Sequence, residues 1–142
     1  MSILTDAIVT VRKALLADSV IKKHCPPDHV VPLYMLESEH AADGSTLDVS
    51  DYIVMSHEGL TIDDNKCGVY NETYHMLVNV VSTDYDSSLE MAEAVRRVLL
   101  HLQNTSSRNI ALTDFRGEPA EFNGRLRYVQ IIRYDFGEIN PI

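Results

Sequence analysis

The chain has 142 residues, of which 45% are hydrophobic and 23% charged, and its formal net charge is −9 at pH 7. A chain of this length is typical of one domain and buries roughly 70% of its unfolded surface, so it needs no metal or disulfide to fold. The acidic balance excludes non-specific coating of nucleic acid, because that binding depends on lysines and arginines that neutralise phosphates.

The first predicted element is an amphipathic helix from about Ser2 to Ala17. Apolar residues recur at helical spacing along one side of it. The prolines that follow Cys25 end anything helical, because a residue before proline avoids the α region. Charges within this apolar segment are not typical of a signal peptide, and no window of the chain reaches the ~20 apolar residues of a membrane span. The predicted buried stripe consists of Leu4, Ala7, Ile8, Val11, Leu15 and Leu16.

Three strands are predicted next, over Val30–Glu37, Asp51–His57 and Val69–Thr83. Polar residues between them predict a loop over His40–Ser50 and a second, acidic loop over Glu58–Gly68. The third strand gives the longest alternating signal, and its more apolar set is expected to face the core. That set consists of Tyr70, Glu72, Tyr74, Met76, Val78 and Val80.

A second helix follows, and Ser87 with Glu90 three residues later matches a capping box at its start. Two further strands are predicted over Ile110–Arg116 and Arg125–Phe136. Asn123-Gly124 predicts a tight turn before the second of them, because both central positions of a type I′ turn need a positive φ. The apolar face of the helix consists of Met91, Ala92, Val95, Val98, Leu99 and Leu102.

These elements predict an α+β fold, in which two α-helices pack on one face of a mostly antiparallel β-sheet. The arrangement buries every apolar stripe in the chain. No internal repeat or linker divides the sequence, so residues 1–142 are expected to form a single domain.

No metal or cofactor site is expected. His24, Cys25 and His29 are close in sequence, but a structural zinc site needs four ligands, usually in two clusters. The acidic loops lack the ligand spacing of a calcium-binding EF-hand. The two cysteines, Cys25 and Cys67, form no C-x-x-C pair, which favours reduced thiols over a disulfide framework.

Catalytic motifs are equally lacking, since the sequence contains no G-x-S-x-G elbow, P-loop or G-x-G-x-x-G. His75, His101 and Cys67 are the only modest candidates for acid–base or nucleophilic chemistry. Strand and helix periodicity place both histidines on polar faces, where a surface role explains them. We therefore expect a protein that is not an enzyme.

Positive charge is concentrated in one place, on one face of the last strand. Arg125, Arg127 and Arg133 share this face, with Val129 and Ile131 between Arg127 and Arg133. Interfaces favour arginine, so these three residues are a candidate contact with an acidic partner surface. The alternative is an exposed strand whose long side chains discourage edge pairing.

The order of elements resembles that of the tail-terminator, or tail-completion, proteins of long-tailed bacteriophages. The similarity covers nearly the whole chain and lies in pattern and order. Its most specific part is a long strand that leads directly into a helix reading AEAVRRVL from Ala92 to Leu99. The other parts are the segments LTDAIVTVRKALLAD, DYIVMS and FRGEPAEFNGRLRYVQIIRYDF.

The resemblance implies a structural subunit of the virion neck that forms a homohexameric ring. Such a ring caps the tail tube protein, stops its polymerisation and joins the tail to the head connector or neck protein. DNA passes through the lumen without specific binding, and neither a membrane nor a cofactor is involved. Acidic side chains are candidates for lumen or docking loops: Asp43, Asp48, Asp51, Glu58, Asp63 and Asp64.

Two further interpretations remain open at this point. Another neck or head-completion protein of the virion has a similar size and fold class. A small-molecule-binding regulatory α+β domain shares the alternation of helix and strand, and it predicts a concave apolar pocket with convergent polar groups.

Overall fold

The computed structural model describes residues 3–32, 38–40, 46–48, 51–65, 69–105, 109–122 and 125–141. The helices are α1 (Ile3–Ala17), α2 (Ser19–His24) and α3 (Tyr85–Thr105), with a 3-10 turn at Pro27–His29. The strands are β1 (Val30–Pro32), β2 (Ser38–His40), β3 (Thr46–Asp48), β4 (Asp51–Asn65), β5 (Val69–Ser82), β6 (Asn109–Phe122) and β7 (Arg125–Pro141).

Five strands form one sheet in the order β1-β4-β5-β7-β6. β1 runs parallel to β4, and every other neighbouring pair in this sheet is antiparallel. β2 and β3 form a separate antiparallel pair. The predicted α+β class with a mostly antiparallel sheet is confirmed, and a short third helix, α2, joins the two that were predicted.

All three helices pack on the same face of the five-stranded sheet. Ala7, Val11 and Leu15 of α1 are fully buried, as the predicted stripe requires. Met91, Val95 and Leu99 of α3 are buried in the same cluster, with Ile21 of α2. The hydroxyl of Tyr134 in β7 donates to the carbonyl of Ala7 over 3.4 Å, and burial raises the pKa of this phenol above its ordinary value. α1, α3 and the sheet therefore share one core.

Alternation in β5 divides the sheet into two faces as predicted. Met76, Val78 and Val80 are fully buried beneath the helices. Their neighbours, such as His75 and Val81, lie on the opposite side, which we call the far face. Residues that pair across neighbouring strands lie on the same face, so the register assigns each residue of β4, β7 and β6 to the helix side or to the far face.

Three strands are longer than predicted, and one of them, β7, continues to Pro141 instead of ending at Phe136. β4 continues to Asn65, so the loop predicted over Glu58–Gly68 is wrong in its described part. The segment GLTID pairs with β5. Its alternation of apolar and polar residues is obscured by the acidic residues around it. β6 continues to Phe122 although it contains Gly117 and Pro119, which an edge strand tolerates.

For three other predicted segments, the described residues cover only a part or none. The loop predicted over His40–Ser50 is wrong at His40 and over Thr46–Asp48, which belong to β2 and β3. Of the strand predicted over Val30–Glu37, the first three residues form β1 and the others lie outside the described residues. The predicted turn at Asn123-Gly124 also lies outside them, but Phe122 pairs with Arg125 and leaves two residues for it.

The cap of α3 is Asp84 rather than Ser87. Its Oδ2 accepts from the backbone N–H of Ser87 over 3.0 Å and from the Ser87 hydroxyl over 2.9 Å. Ser87 is therefore the third residue of the helix, and the predicted capping box is wrong. An aspartate satisfies the free N–H groups of a first turn at least as well as a serine.

Candidate functional surfaces

A hydrogen-bonded series of polar side chains crosses the far face. His75 in β5 lies opposite Asp135 in β7, and its Nδ1 donates to Asp135 Oδ1 over 2.8 Å. Its Nε2 lies 2.7 Å from Thr61 Oγ1 in β4. The predicted polar setting of His75 is confirmed, and the contacts tie three strands together.

A hydroxyl, an imidazole and a carboxylate in series are also found where a nucleophile is activated. That chemistry further needs donors aimed at a developing oxyanion and a concave substrate site. Thr61 lies exposed on a strand, and two grooves of the described structure, of about 420 and 360 Å³, are lined by other residues. The arrangement therefore fits a strand-bridging contact better than a catalytic one.

An ion pair lies beside this series on the far face. Arg133 Nη2 of β7 lies 2.7 Å from Glu58 Oε1 of β4, so the guanidinium reaches across β5. Glu58 occupies the bulge where the β4–β5 register shifts. Arg133, predicted to contact an acidic partner, and Glu58, predicted to lie in an acidic loop, therefore pair with each other.

The other two predicted arginines lie near the opposite end of β7. Arg127 is 6% exposed, and its Nη1 donates to the carbonyl of Leu126 over 3.0 Å. Arg125 begins β7, and its side chain lies outside the described part of the structure. β7 lies between β5 and β6, so the alternative of an exposed edge strand is wrong. The contact with an acidic partner stays a prediction.

An apolar row occupies the far face near the start of β4. Tyr52, Val81 and Val129 are adjacent on β4, β5 and β7, and they are 5%, 4% and 8% exposed. Val54, Ala120 and Ile131 pack around them and are partly buried. The far face is therefore apolar at one end and charged at the other.

The acidic residues predicted for loops lie in several different places. Asp43 is outside the described residues. Asp48 ends β3, while Asp63 and Asp64 belong to the outer part of β4. None of the three has a described side chain. Their assignment to a lumen or a docking contact stays a prediction.

Asp51 holds together the junction where β4 begins and β5 ends. Its Oδ1 accepts from the Ser82 hydroxyl, and its Oδ2 lies 3.5 Å from His24 Nδ1. His24 Nε2 lies 3.4 Å from Glu90 Oε2 of α3. His29 Nδ1 donates to the Asp51 carbonyl over 3.1 Å. This carboxylate therefore has internal partners in α2 and β5.

The thiol between the two histidines points into the core. Cys25 is 2% exposed, and its Sγ lies 3.5 Å from Met91 Sδ. Burial, with a contribution from the negative charge of Asp51, raises the pKa of the Cys25 thiol to about 12. Within the described residues, no three His, Cys, Asp or Glu side chains converge as metal ligands.

Both sides of the sheet present backbone edges that sequence reasoning missed. β6 is the last strand on one side and has 14 residues. On the other side β1 covers only Ile53–Met55 of β4, and no described strand pairs with the outer side of β4 beyond Met55. Leu60 and Ile62 on this stretch are 43% and 58% exposed. The alternation in GLTID could have revealed them.

A groove of about 420 Å³ lies between the end of α1 and the second half of α3. Asp18 crosses its end, where it accepts from Arg97 Nη2 over 2.9 Å and caps α2 through the N–H groups of Val20 and Ile21. Burial alone raises the pKa of the Asp18 carboxyl. The hydrogen bonds from Arg97 and the backbone outweigh this effect, so the pKa lies below its ordinary value.

A second groove, of about 360 Å³, lies at the start of α3. Tyr85 and Tyr128 meet there edge to face, with ring centroids 5.3 Å apart. Gln130 in its wall is buried and donates to Ser88 Oγ over 3.3 Å.

No helix of the described chain is long and apolar enough to cross a membrane.

Comparison with known proteins supports the fold. No protein-family model matches the chain, and no curated protein matches it. Among solved structures 25 chains match. One of them comes from a structure described as the virion of native gene transfer agent (GTA) particle, with a TM-score of 0.58 and 14% identity over 90% of this chain and 91% of that one. At this identity the two chains are similar in fold.

Proposed function

We propose that this protein is a structural virion subunit, and that it forms the ring that terminates a phage-like tail. The observation that carries the proposal is the fold shared, over nine tenths of both chains, with a component of a gene transfer agent virion. The order of elements, which resembles tail terminators, supports the finer assignment. The whole chain, residues 1–142, acts as one domain without catalytic turnover.

The proposed ring caps the tail tube protein, stops its growth and presents a new surface to the head connector or neck protein. A ring of identical subunits arises from a heterologous contact whose rotation closes, and six copies are proposed here. The net charge of −9 per copy is repeated around such a ring. Carboxylates that face the lumen repel phosphates, so DNA passes without binding.

The test is a tube assembly assay with the tail tube protein of the proposed particle. Purified protein added to growing tubes is expected to stop elongation and to appear by electron microscopy as a ring at one end. A charge-matched soluble protein of similar size serves as the control. Tubes that reach the same length with and without the chain, and carry no ring, would refute the proposal.

The position of the bound ring separates a tail terminator from the other neck proteins. A terminator binds the tube directly, whereas a head-completion protein binds the connector and ignores free tubes. Binding only to connectors therefore retains the virion role and refutes the terminator role.

A further inference from the structure

We propose that copies of this chain join by extending their sheets, with β6 of one copy pairing antiparallel with the uncovered edge of β4 in the next. The partner is a second copy of the same chain. This inference rests on the proposed function only in that the joined copies close into a ring. Strand pairing explains why both edges are long and uncovered in the described structure.

The strand directions fit this joint. β4, β5, β7 and β6 alternate in direction, so β4 and β6 run opposite to each other. A second copy placed beside the first in the same orientation therefore offers β4 antiparallel to β6. Antiparallel pairing is the commoner mode, and here it needs no inversion of the neighbour. The joint uses two different edges, as a heterologous ring contact requires.

The side chains along the two edges also match by face. Leu60 and Ile62 of β4 lie on the helix side of the sheet, because their partners in β5, Tyr74 and Glu72, belong to its core-facing set. Leu112 and Phe115 of β6 lie on the same side, where they pack partly against the core. Joining the edges in one orientation therefore places apolar side chains beside apolar side chains. Such same-face pairs stabilise a sheet.

Each uncovered edge carries N–H and C=O groups that pair readily with another strand. A heterologous joint covers both edges of every copy once the ring closes. Pairing of β4 with β4, or of β6 with β6, leaves the other edge of each copy uncovered. Pro119 lacks an N–H, so the joint is expected to use the part of β6 before it.

Disulfide trapping tests this joint in a Cys67→Ser background, where the buried Cys25 remains. One sample carries Thr61→Cys on β4, and a second carries a cysteine on the far face of β6, at Ala111, Asp114 or Arg116 in turn. These three positions sample the register, since a disulfide needs Cα atoms about 4.4–6.8 Å apart. Cross-linked dimers are expected after mixing and mild oxidation at one or two of the three positions. Replacing Thr61→Cys by Glu93→Cys on α3 is expected to give none.

A charge placed on the edge gives a second readout. Ile62→Lys is expected to weaken ring formation roughly tenfold or more, because a central apolar contact is lost. Ile62 is 58% exposed, so the subunit itself should keep its thermal midpoint. Val9→Lys, at a side chain of α1 that is 43% exposed, adds the same charge away from the edges and should leave assembly unchanged.

The outcomes separate this inference from the proposed function. Rings that form without any cross-link between β4 and β6, and that tolerate Ile62→Lys, overturn the edge joint and leave the terminator role intact. Dimers of the Thr61→Cys sample alone show that β4 pairs with itself, which also overturns the joint. A chain that stays monomeric, alone and with tubes, overturns both proposals.

Discussion

Asp18 provides a direct test of how the helices are held together. Its carboxylate caps α2 and pairs with Arg97 of α3, so one side chain joins two helices. Loss of an N-cap costs about 0.5–2 kcal/mol, and an exposed ion pair contributes about 0.2–1 kcal/mol. Asp18→Ala is therefore expected to lower the free energy of unfolding by about 1–3 kcal/mol.

Urea unfolding followed by circular dichroism measures this change, at a concentration where the chain is monomeric. With a urea m-value of about 2 kcal/mol/M, a loss of 2 kcal/mol moves the midpoint by about 1 M. Asp18→Asn is the matched control, because asparagine caps as well as aspartate but carries no charge. It is expected to cost less than about 1 kcal/mol.

The pH dependence of stability in wild type and Asp18→Asn shows whether the charge of Asp18 stabilises the fold. The pKa of Asp18 is lower in the folded chain than in the unfolded one, so its charge stabilises the fold above the unfolded pKa of about 3.9. That stabilisation is lost as the pH falls through the folded pKa. The difference between wild type and Asp18→Asn should therefore shrink below about pH 4. A wild type indistinguishable from Asp18→Ala, or a difference independent of pH, would refute this reasoning.

Two further predictions concern the core. In a Cys67→Ser background, Cys25 should react with a thiol reagent at pH 8 roughly a thousandfold more slowly in the folded chain than in urea. Burial raises the pKa of the Cys25 thiol to about 12, and only the thiolate reacts. Equal rates in the two states would contradict the placement of this thiol. Gly117→Ala should cost about 1–3 kcal/mol in urea unfolding, because a Cβ there would overlap Gln130 Oε1, and the Gln130 side chain is buried and hydrogen-bonded to Ser88. The cost should largely disappear in a Gln130→Ala background, and an equal cost in both backgrounds would count against the contact.

Hydrophobic periodicity predicted the elements whose apolar residues face one common core. The stripe of α1 and the alternation of β5 gave the correct faces, because burial of Val11 or Val78 leaves a periodic trace in the sequence. The register between strands leaves no such trace. It follows from pairing partners far apart in the chain, such as Ile53 with Val80.

The errors have physical causes that local sequence does not reveal. The aspartates of the acidic part of β4 are poor strand formers and predict a loop, yet pairing with β5 continues to Asn65. Glu90 makes Ser87 match a capping box, while Asp84 three residues before Ser87 is the actual cap. Tertiary pairing overrides local preference in the first case, and two adjacent capping patterns compete in the second.

The candidate surfaces were predictable only in part. Alternation placed Arg127 and Arg133 on the same face, but it could not show that Arg133 reaches Glu58 across β5 or that Arg127 is buried. Both facts depend on which strands are neighbours. The edge of β4 was equally hidden, since it depends on strand pairing: among the residues that the structure describes, β1 pairs only with Ile53–Met55.

The most direct test of the account is the location of this chain in intact particles. A tagged copy, labelled with gold and viewed by electron microscopy, is expected at one position only, where the tail tube meets the neck, in a single ring per particle. Label along the tube, label within the head, or particles that lack the chain altogether would contradict the proposed role.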